Sequence, residues 1–238
     1  MNIQLPKAIL FDMDDTILAD GQISPKSWER AFARFAPRLG GLDAQELAGA
    51  LNEIRRQRLE DPEWNRWSGM NLAESRRELV ALTLSNLGLD AGQTANDIAE
   101  AYAEIKEASL EAFPGAIGTL THIRETGKGM ALITNGLSRS QRIKIDRFGL
   151  KPLFDCIIIQ EEFGVGKPDP RVFQHALAQL EAQPSEAVMI GDNLNADIAG
   201  AQSLGIRTVW VDWEGKGLPE GCPTTPDSTV RSIAELIA

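Results

Sequence analysis

Apolar residues follow two rhythms along this chain. Ala8-Ile9-Leu10-Phe11, Met130-Ala131-Leu132-Ile133, Cys156-Ile157-Ile158-Ile159 and Ala187-Val188-Met189-Ile190 are unbroken apolar runs, and Arg207-Thr208-Val209-Trp210-Val211 supplies a fifth predicted strand. Short runs without polar alternation predict strands covered on both faces of a parallel sheet. Helices are predicted between them: over 116–126, broken by Gly127 and Gly129; from Ser138, spaced from Gln141 as a capping box, to a stop at Gly149; from Asp169-Pro170; and over Leu194 to Leu204, closed by Gly205. Residues 213–227 read as a Gly/Pro-rich loop, and Ser228 to Ile237 as a terminal helix.

Residues 20–110 lack the strand rhythm and read as consecutive helices. Ser24-Pro25 offers an N-cap followed by proline, while Asp43 with Glu46 and Asn71 with Glu74 have capping-box spacing. Trp28, Ala31, Phe32 and Phe35 form one apolar stripe, as expected of a core-facing helix. Leu79, Leu82, Thr83 and Asn86 continue the helical character. The expected fold class is therefore α/β: a Rossmann-like parallel sheet with helices on both faces, built from residues 1–19 and 111–238, with a helical bundle inserted at 20–110.

The 238 residues are ample for a sizeable core, and 43% hydrophobic with 24% charged residues is an ordinary globular composition. No apolar run reaches membrane-spanning length and the N-terminus does not read as a signal peptide, so cytoplasm is the expected location. A net charge of −10 argues against a nucleic acid polymer or an anionic membrane as partner. It does not argue against a small anionic substrate, because salt screens distant charges over about 10 Å. Cys156 and Cys222 have no metal or disulfide spacing.

Chemistry gathers where the strands end. The first runs into Asp12-Met13-Asp14-Asp15-Thr16, the second into Thr134-Asn135-Gly136, and the fourth into Gly191-Asp192-Asn193-Leu194-Asn195-Ala196-Asp197; Gly166-Lys167-Pro168-Asp169-Pro170 follows the third after a short loop. Parallel strands share one carboxyl edge, where open α/β sheets bind ligands. Asp12, Asp14, Thr134, Lys167, Asp192 and Asp197 are then expected to converge there. Taken singly, each segment reads equally well as an acidic turn, a strand end or a helix start. Buried carboxylates two residues apart are costly unless a cation accompanies them.

These four segments, in this order, resemble the motifs of the haloacid dehalogenase-like hydrolase superfamily, in its phosphatase branch with an alpha-helical cap. The resemblance spans residues 7 to about 212, with the insert after the first motif. It implies that Asp12 is the nucleophile of an aspartyl-phosphate mechanism and that Asp14 is the general acid and base, with Thr16 helping to orient it. It further implies that Mg2+ is held by Asp12, Asp192 and the backbone carbonyl of Asp14. Thr134, the Asn135 N–H and Lys167 would bind the phosphoryl group, and Asp197 would orient Lys167 or metal-bound water. The insert would be a cap that helps choose a small phosphorylated metabolite, such as a sugar phosphate or nucleotide.

Within the resembled superfamily, dehalogenases and phosphonate hydrolases lack the second Asp, so Asp14 favours phosphomonoester chemistry. A phosphosugar mutase and a catalytically silent binding module on this fold are the alternatives. Position 15 is Asp where many members of that superfamily carry Gly or Asn, and it is read as leaving the chemistry untouched. Trp64, Arg66 and Trp67 are read as packing or inter-helix contacts, with contact to a substrate ring and charge as the alternative. His122 and His175 lie on predicted helices and are read as structural or surface residues.

Overall fold

The computed structural model describes residues 5–237. The chain divides into two compact units, one formed by residues up to Ala19 and from Glu111 onward, the other by Asp20–Leu110.

The first unit is built on six strands: β1 (Ala8–Phe11), β2 (Gly129–Thr134), β3 (Cys156–Ile159), β4 (Ala187–Gly191), β5 (Arg207–Val211) and β6 (Ser228–Val230). They form one sheet in the order β3-β2-β1-β4-β5-β6, and every neighbouring pair is parallel. Ile9 sits opposite Met130 and Val188, and Phe11 opposite Leu132 and Ile190. The strand order reverses direction at β1, so the crevice between the ends of β1 and β4 is the switch point at which such sheets bind ligands.

Both faces are covered, as the unbroken apolar runs require. Ala8, Leu10, Ala131, Ile133, Ala187 and Met189 pack with Val172, Phe173 and Ala176 of helix α9 (Pro170–Gln179). Ile9, Phe11, Met130, Leu132, Val188 and Ile190 alternate with them along the strands and are equally buried. Helices α6 (Ala116–Glu125) and α7 (Ser138–Arg147) complete the unit with a π-helical turn over Leu194–Ala199 that runs into the short helix Gly200–Gln202.

The structure corrects two expectations for this unit. The terminal helix expected over Ser228–Ile237 is instead strand β6 followed by a 3-10 turn at Ile233–Ile237. The exposed edge of β5 offers unpaired backbone groups, and Ser228, Thr229 and Val230 satisfy them opposite Val209, Trp210 and Val211. The loop expected after β3 contains one helical turn, α8 (Gln160–Phe163).

The second unit comprises α1 (Asp20–Phe35), α2 (Ala44–Leu59), α3 (Pro62–Met70), α4 (Leu72–Asn86) and α5 (Gly92–Ser109). Trp28, Ala31 and Phe32 are buried in its core with Leu47, Leu51, Leu79, Val80, Ile98 and Tyr102, and Phe35 packs against the edge of that core. Asp43 caps α2 by accepting hydrogen bonds from the Gln45 and Glu46 N–H groups, whereas Asn71 makes no side-chain cap on α4. Ser24-Pro25 does not open α1. The helix begins at Asp20, and the buried Ser24 hydroxyl instead meets the Tyr102 hydroxyl at 2.8 Å. Trp64 is buried against Trp67, while Arg66 and Trp67 are exposed. No helix among the described residues is long and apolar enough to cross a membrane.

Candidate active site

The Asp12 N–H donates to the Ile190 carbonyl at 2.9 Å, continuing the β1–β4 ladder by one residue. That bond fixes the Asp12 side chain at the edge between the two strands. The chain then turns tightly: the Asp15 N–H donates to Leu18 O (2.7 Å), while the Ile17 and Leu18 N–H groups both donate to Met13 O. Asp15 has a left-handed backbone, φ 62°, which Asp, Asn and Gly tolerate better than other residues. The residue type at position 15 thus answers to the turn.

Lys167 is brought to Asp12 by a side-chain clamp. Asn135 Nδ2 donates to the Lys167 carbonyl and Oδ1 accepts the Lys167 N–H, each at 2.8 Å. Gly166 is required beside this clamp, since a Cβ there would lie 2.5 Å from Asn135 Oδ1. The buried Lys167 Nζ donates to Asp12 Oδ1 at 2.5 Å and lies 2.7 Å from Asp197 Oδ1. The second contact is a close ion pair without hydrogen-bond alignment.

Asp197 is 1% exposed and sits in the π-helical turn, where the Asp197 and Ile198 N–H groups both donate to Asn193 O. Its Oδ2 accepts the Asn193 N–H at 2.9 Å. A Cβ on Gly191 would stand 2.3 Å from that oxygen, so glycine makes room for the carboxylate. Trp210 Nε1 donates to the Asp192 carbonyl at 2.7 Å and steadies the start of the same loop.

Carboxylate oxygens of Asp12, Asp192 and Asp197 all lie within 4.8 Å of one another, with Lys167 as their close cationic partner. Burial pushes Asp12 up to about 6; Lys167 opposes this and Asp197 adds to it. Burial pushes Asp192 further, to about 9, with the negative charges of Asp12, Asp197 and Asp15 contributing. Lys167 is held above the ordinary lysine value: burial alone would lower it, but the Asp12 and Asp197 charges outweigh that effect. Asp12 Oδ2 is buried with no hydrogen-bond partner. An orphaned carboxylate oxygen beside an excess of negative charge fits a hard cation with oxygen ligands. Asp12 and Asp192 are the carboxylates suited to hold it, because both Asp197 oxygens already face Lys167 and the Asn193 N–H.

Thr134 ends β2 and is buried. Its Oγ1 accepts Gln141 Nε2 at 2.6 Å, and the same nitrogen lies 2.9 Å from Asp14 Oδ2. Lys144 Nζ donates to Asp14 Oδ1 at 2.7 Å. Gln141 therefore joins Asp14 to Thr134, and Lys144 supports Asp14 from one helical turn further on; the sequence pattern marks neither as part of the site. Its spacing from Ser138 predicts a capping box for Gln141, but α7 carries no such cap. The available signal was a Gln on the same helical face as the buried Ile145. Thr16 Oγ1 is buried without a hydrogen-bond partner, so Asp14 is held here by Gln141 and Lys144 and not by that hydroxyl. His122 and His175 are exposed on helices α6 and α9.

The haloacid dehalogenase-like hydrolase family model matches residues 6–205. The chain belongs to this family. A phosphoserine phosphatase from Thermus thermophilus is 33% identical over 97% of each chain. A glyceraldehyde 3-phosphate phosphatase from Methanocaldococcus jannaschii is 30% identical over 97% of this chain and 95% of its own. Among solved structures, the magnesium-bound haloacid dehalogenase-type hydrolase YfnB from Bacillus subtilis superposes with a TM-score of 0.77 at 22% identity, covering 98% of this chain and 97% of that one. That likeness is one of fold. The four motifs of this haloacid dehalogenase-like hydrolase all lie within the matched residues.

The electrostatics give a signed prediction. Asp12 and Asp192 have pKa values raised from 3.8 to about 6 and about 9, so the folded chain retains protons that the unfolded chain has released. Their contribution to stability is therefore greatest at low pH and is lost as pH rises through those values. A divalent cation must displace the same protons, so its benefit grows in the same direction. Thermal unfolding with and without Mg2+ should show a larger Mg2+-induced rise in Tm at pH 9 than at pH 6. Equal rises at the two pH values contradict the assignment.

Proposed function

We propose that this phosphoric monoester hydrolase cleaves a small phosphorylated metabolite with the aid of Mg2+ and through a phosphorylated Asp12. The observation that carries the reading is the state of Asp12. Its carboxylate is buried at the ligand-binding edge of the sheet, with one oxygen held by Lys167 and the other left without a donor. A fold gains nothing from a carboxylate in that condition, whereas a nucleophile requires it.

In this reading an Asp12 oxygen forms a bond to phosphorus as the bond to the leaving oxygen breaks, and Asp14 gives that oxygen a proton. Asp14, now a carboxylate, takes a proton from water. The resulting hydroxide attacks phosphorus, the bond to Asp12 breaks, and inorganic phosphate leaves. Lys167, the Thr134 hydroxyl and the Asn135 N–H oppose the charge on the phosphoryl oxygens. With its side-chain amide engaged on the Lys167 backbone, Asn135 offers the phosphoryl group its own backbone N–H. Asp197 keeps Lys167 in place. Asp12, Asp192 and the Asp14 carbonyl would hold Mg2+, which would supply charge neutralisation between two anions.

The two relatives named above act on phosphoserine and on glyceraldehyde 3-phosphate, both small metabolites with alkyl leaving groups. This supports a substrate of the same size and kind. The helical unit Asp20–Leu110 contains none of the residues assigned to phosphoryl transfer, and we assign substrate choice to it, as a cap.

Purified enzyme should hydrolyse an aryl phosphate and members of a phosphorylated-metabolite panel with Mg2+, and lose that activity in excess chelator. Asp12→Asn should abolish turnover in a variant that still unfolds cooperatively. Full activity in chelator, or an active Asp12→Asn, rejects the reading. For the cap, Trp67→Ala and Arg66→Ala should change the ranking of metabolites while sparing a small aryl phosphate. A uniform loss that follows lowered Tm instead makes these residues structural.

A further inference from the structure

One face of α7 reaches two groups of the phosphoryl-transfer site that lie far apart in sequence. Gln141 and Lys144 stand three residues apart on this helix, one turn. Gln141 is buried and its Nε2 lies 2.6 Å from Thr134 Oγ1, 2.9 Å from Asp14 Oδ2 and 3.1 Å from Asn135 O. Lys144 Nζ lies 2.7 Å from Asp14 Oδ1, with both side chains mostly buried. Both Asp14 oxygens are thus held from a single helix. The helix is itself pinned to α8: Arg142 pairs with Glu162 at 2.6 Å, and the Ser138 N–H donates to Glu161 at 2.7 Å.

The chemistry of the donors gives this arrangement a direction. A side-chain amide nitrogen only donates, so Thr134 Oγ1 must accept from Gln141. The one hydroxyl proton is then left to point elsewhere, and the Asn135 carbonyl in its vicinity is 3.5 Å away, at the limit of hydrogen bonding. Gln141 thereby presents Thr134 as a donor to an incoming anion. The same amide fixes one oxygen of Asp14 while Lys144 fixes the other, which sets the plane and direction of that carboxyl group.

We propose that Gln141 and Lys144 are positioning residues: Gln141 aims the Thr134 hydroxyl at the phosphoryl group, and Lys144 holds Asp14 in line for proton transfer. This deepens the proposed function and rests on its reading of Thr134 and Asp14. Local sequence gives no hint of the link, because Gln141 and Lys144 are 127 and 130 residues from Asp14.

The two halves have different kinetic signatures. Gln141→Met keeps the length and loses the donor, so KM for p-nitrophenyl phosphate and the inhibition constant of inorganic phosphate should both rise about tenfold. Thr134→Val should do the same, and the double variant should be no worse than either single one. Lys144→Ala should slow single-turnover cleavage of an alkyl phosphate that the wild type hydrolyses by roughly tenfold or more, the scale of lost acid catalysis. It should slow p-nitrophenyl phosphate, whose leaving group needs little protonation, by much less. Lys144→Arg should restore the alkyl rate. Additive effects of Gln141→Met and Thr134→Val overturn the first half, and equal alkyl and aryl losses in Lys144→Ala, or no loss at all, overturn the second.

Asp14→Asn is the control that separates the two levels. If it slows alkyl and aryl substrates equally, the proposed role of Asp14 fails and the Lys144 half of this inference fails with it. If it shows the leaving-group bias while Lys144→Ala does not, only the positioning role of Lys144 is rejected. Thermal unfolding of each variant accompanies the kinetics, since a merely structural loss lowers Tm without changing the alkyl-to-aryl ratio.

Discussion

Lys167 faces Asp12 and Asp197 at the carboxyl edge of the sheet, with Asp192 completing a trio of crowded carboxylates. Much of the sheet-bearing unit answers to keeping that ammonium and those oxygens together. Isolated buried charges are prohibitively costly, so each member depends on the others being in place. Gly166 makes space for the Asn135 clamp that delivers Lys167, and Gly191 makes space for the carboxylate that restrains it. The π-helical turn after β4 lets Asp197 fold back over Gly191, where an ordinary loop would carry it away. Burial, and after it the crowding of like charges, still pushes Asp12 and Asp192 upward.

The sheet supplies what the cluster needs from a distance. Parallel strands in the order β3-β2-β1-β4-β5-β6 bring Asp12, Thr134 and Asp192 to a common edge with no long side chains required to reach across. Rigid strand ends suit a nucleophile that must meet phosphorus within a few tenths of an ångström. Helix α7 adds a second support from the side, holding Asp14 and Thr134 through Gln141 and Lys144. Family membership accounts for the fold and the class of reaction, while the particular substrate has to be settled by residues that the phosphoryl chemistry leaves unassigned.

Legibility in the sequence divided along physical lines. Unbroken apolar runs revealed four strands because burial on both faces leaves little room for polar residues, Val209-Trp210-Val211 marked a fifth, and the polar segments that follow the runs marked the edge. Strand β6 escaped because three residues, Ser228 to Val230, are too few to set a rhythm and gain their partners only from β5. Ser24-Pro25 imitated a helix start, although Ser24 is used inside the bundle against Tyr102. Gln141 was misjudged for a related reason. Its distance from Ser138 satisfies a local rule, but its amide is spent on Asp14 and Thr134, which only the tertiary fold brings near. Local spacing reports local hydrogen bonds, and a buried polar side chain on an otherwise apolar helical face is the cue that a distant partner exists.

In the proposed reaction the orphaned Asp12 carboxylate becomes covalently phosphorylated. Acid-quenched single-turnover reactions with a phosphate-labelled substrate and Mg2+, followed by peptide mapping, test this directly. The label should appear transiently on the peptide containing Asp12 and disappear at the rate at which inorganic phosphate is released. Turnover with no labelled protein at any quench time, or label on a residue other than Asp12, would contradict the account.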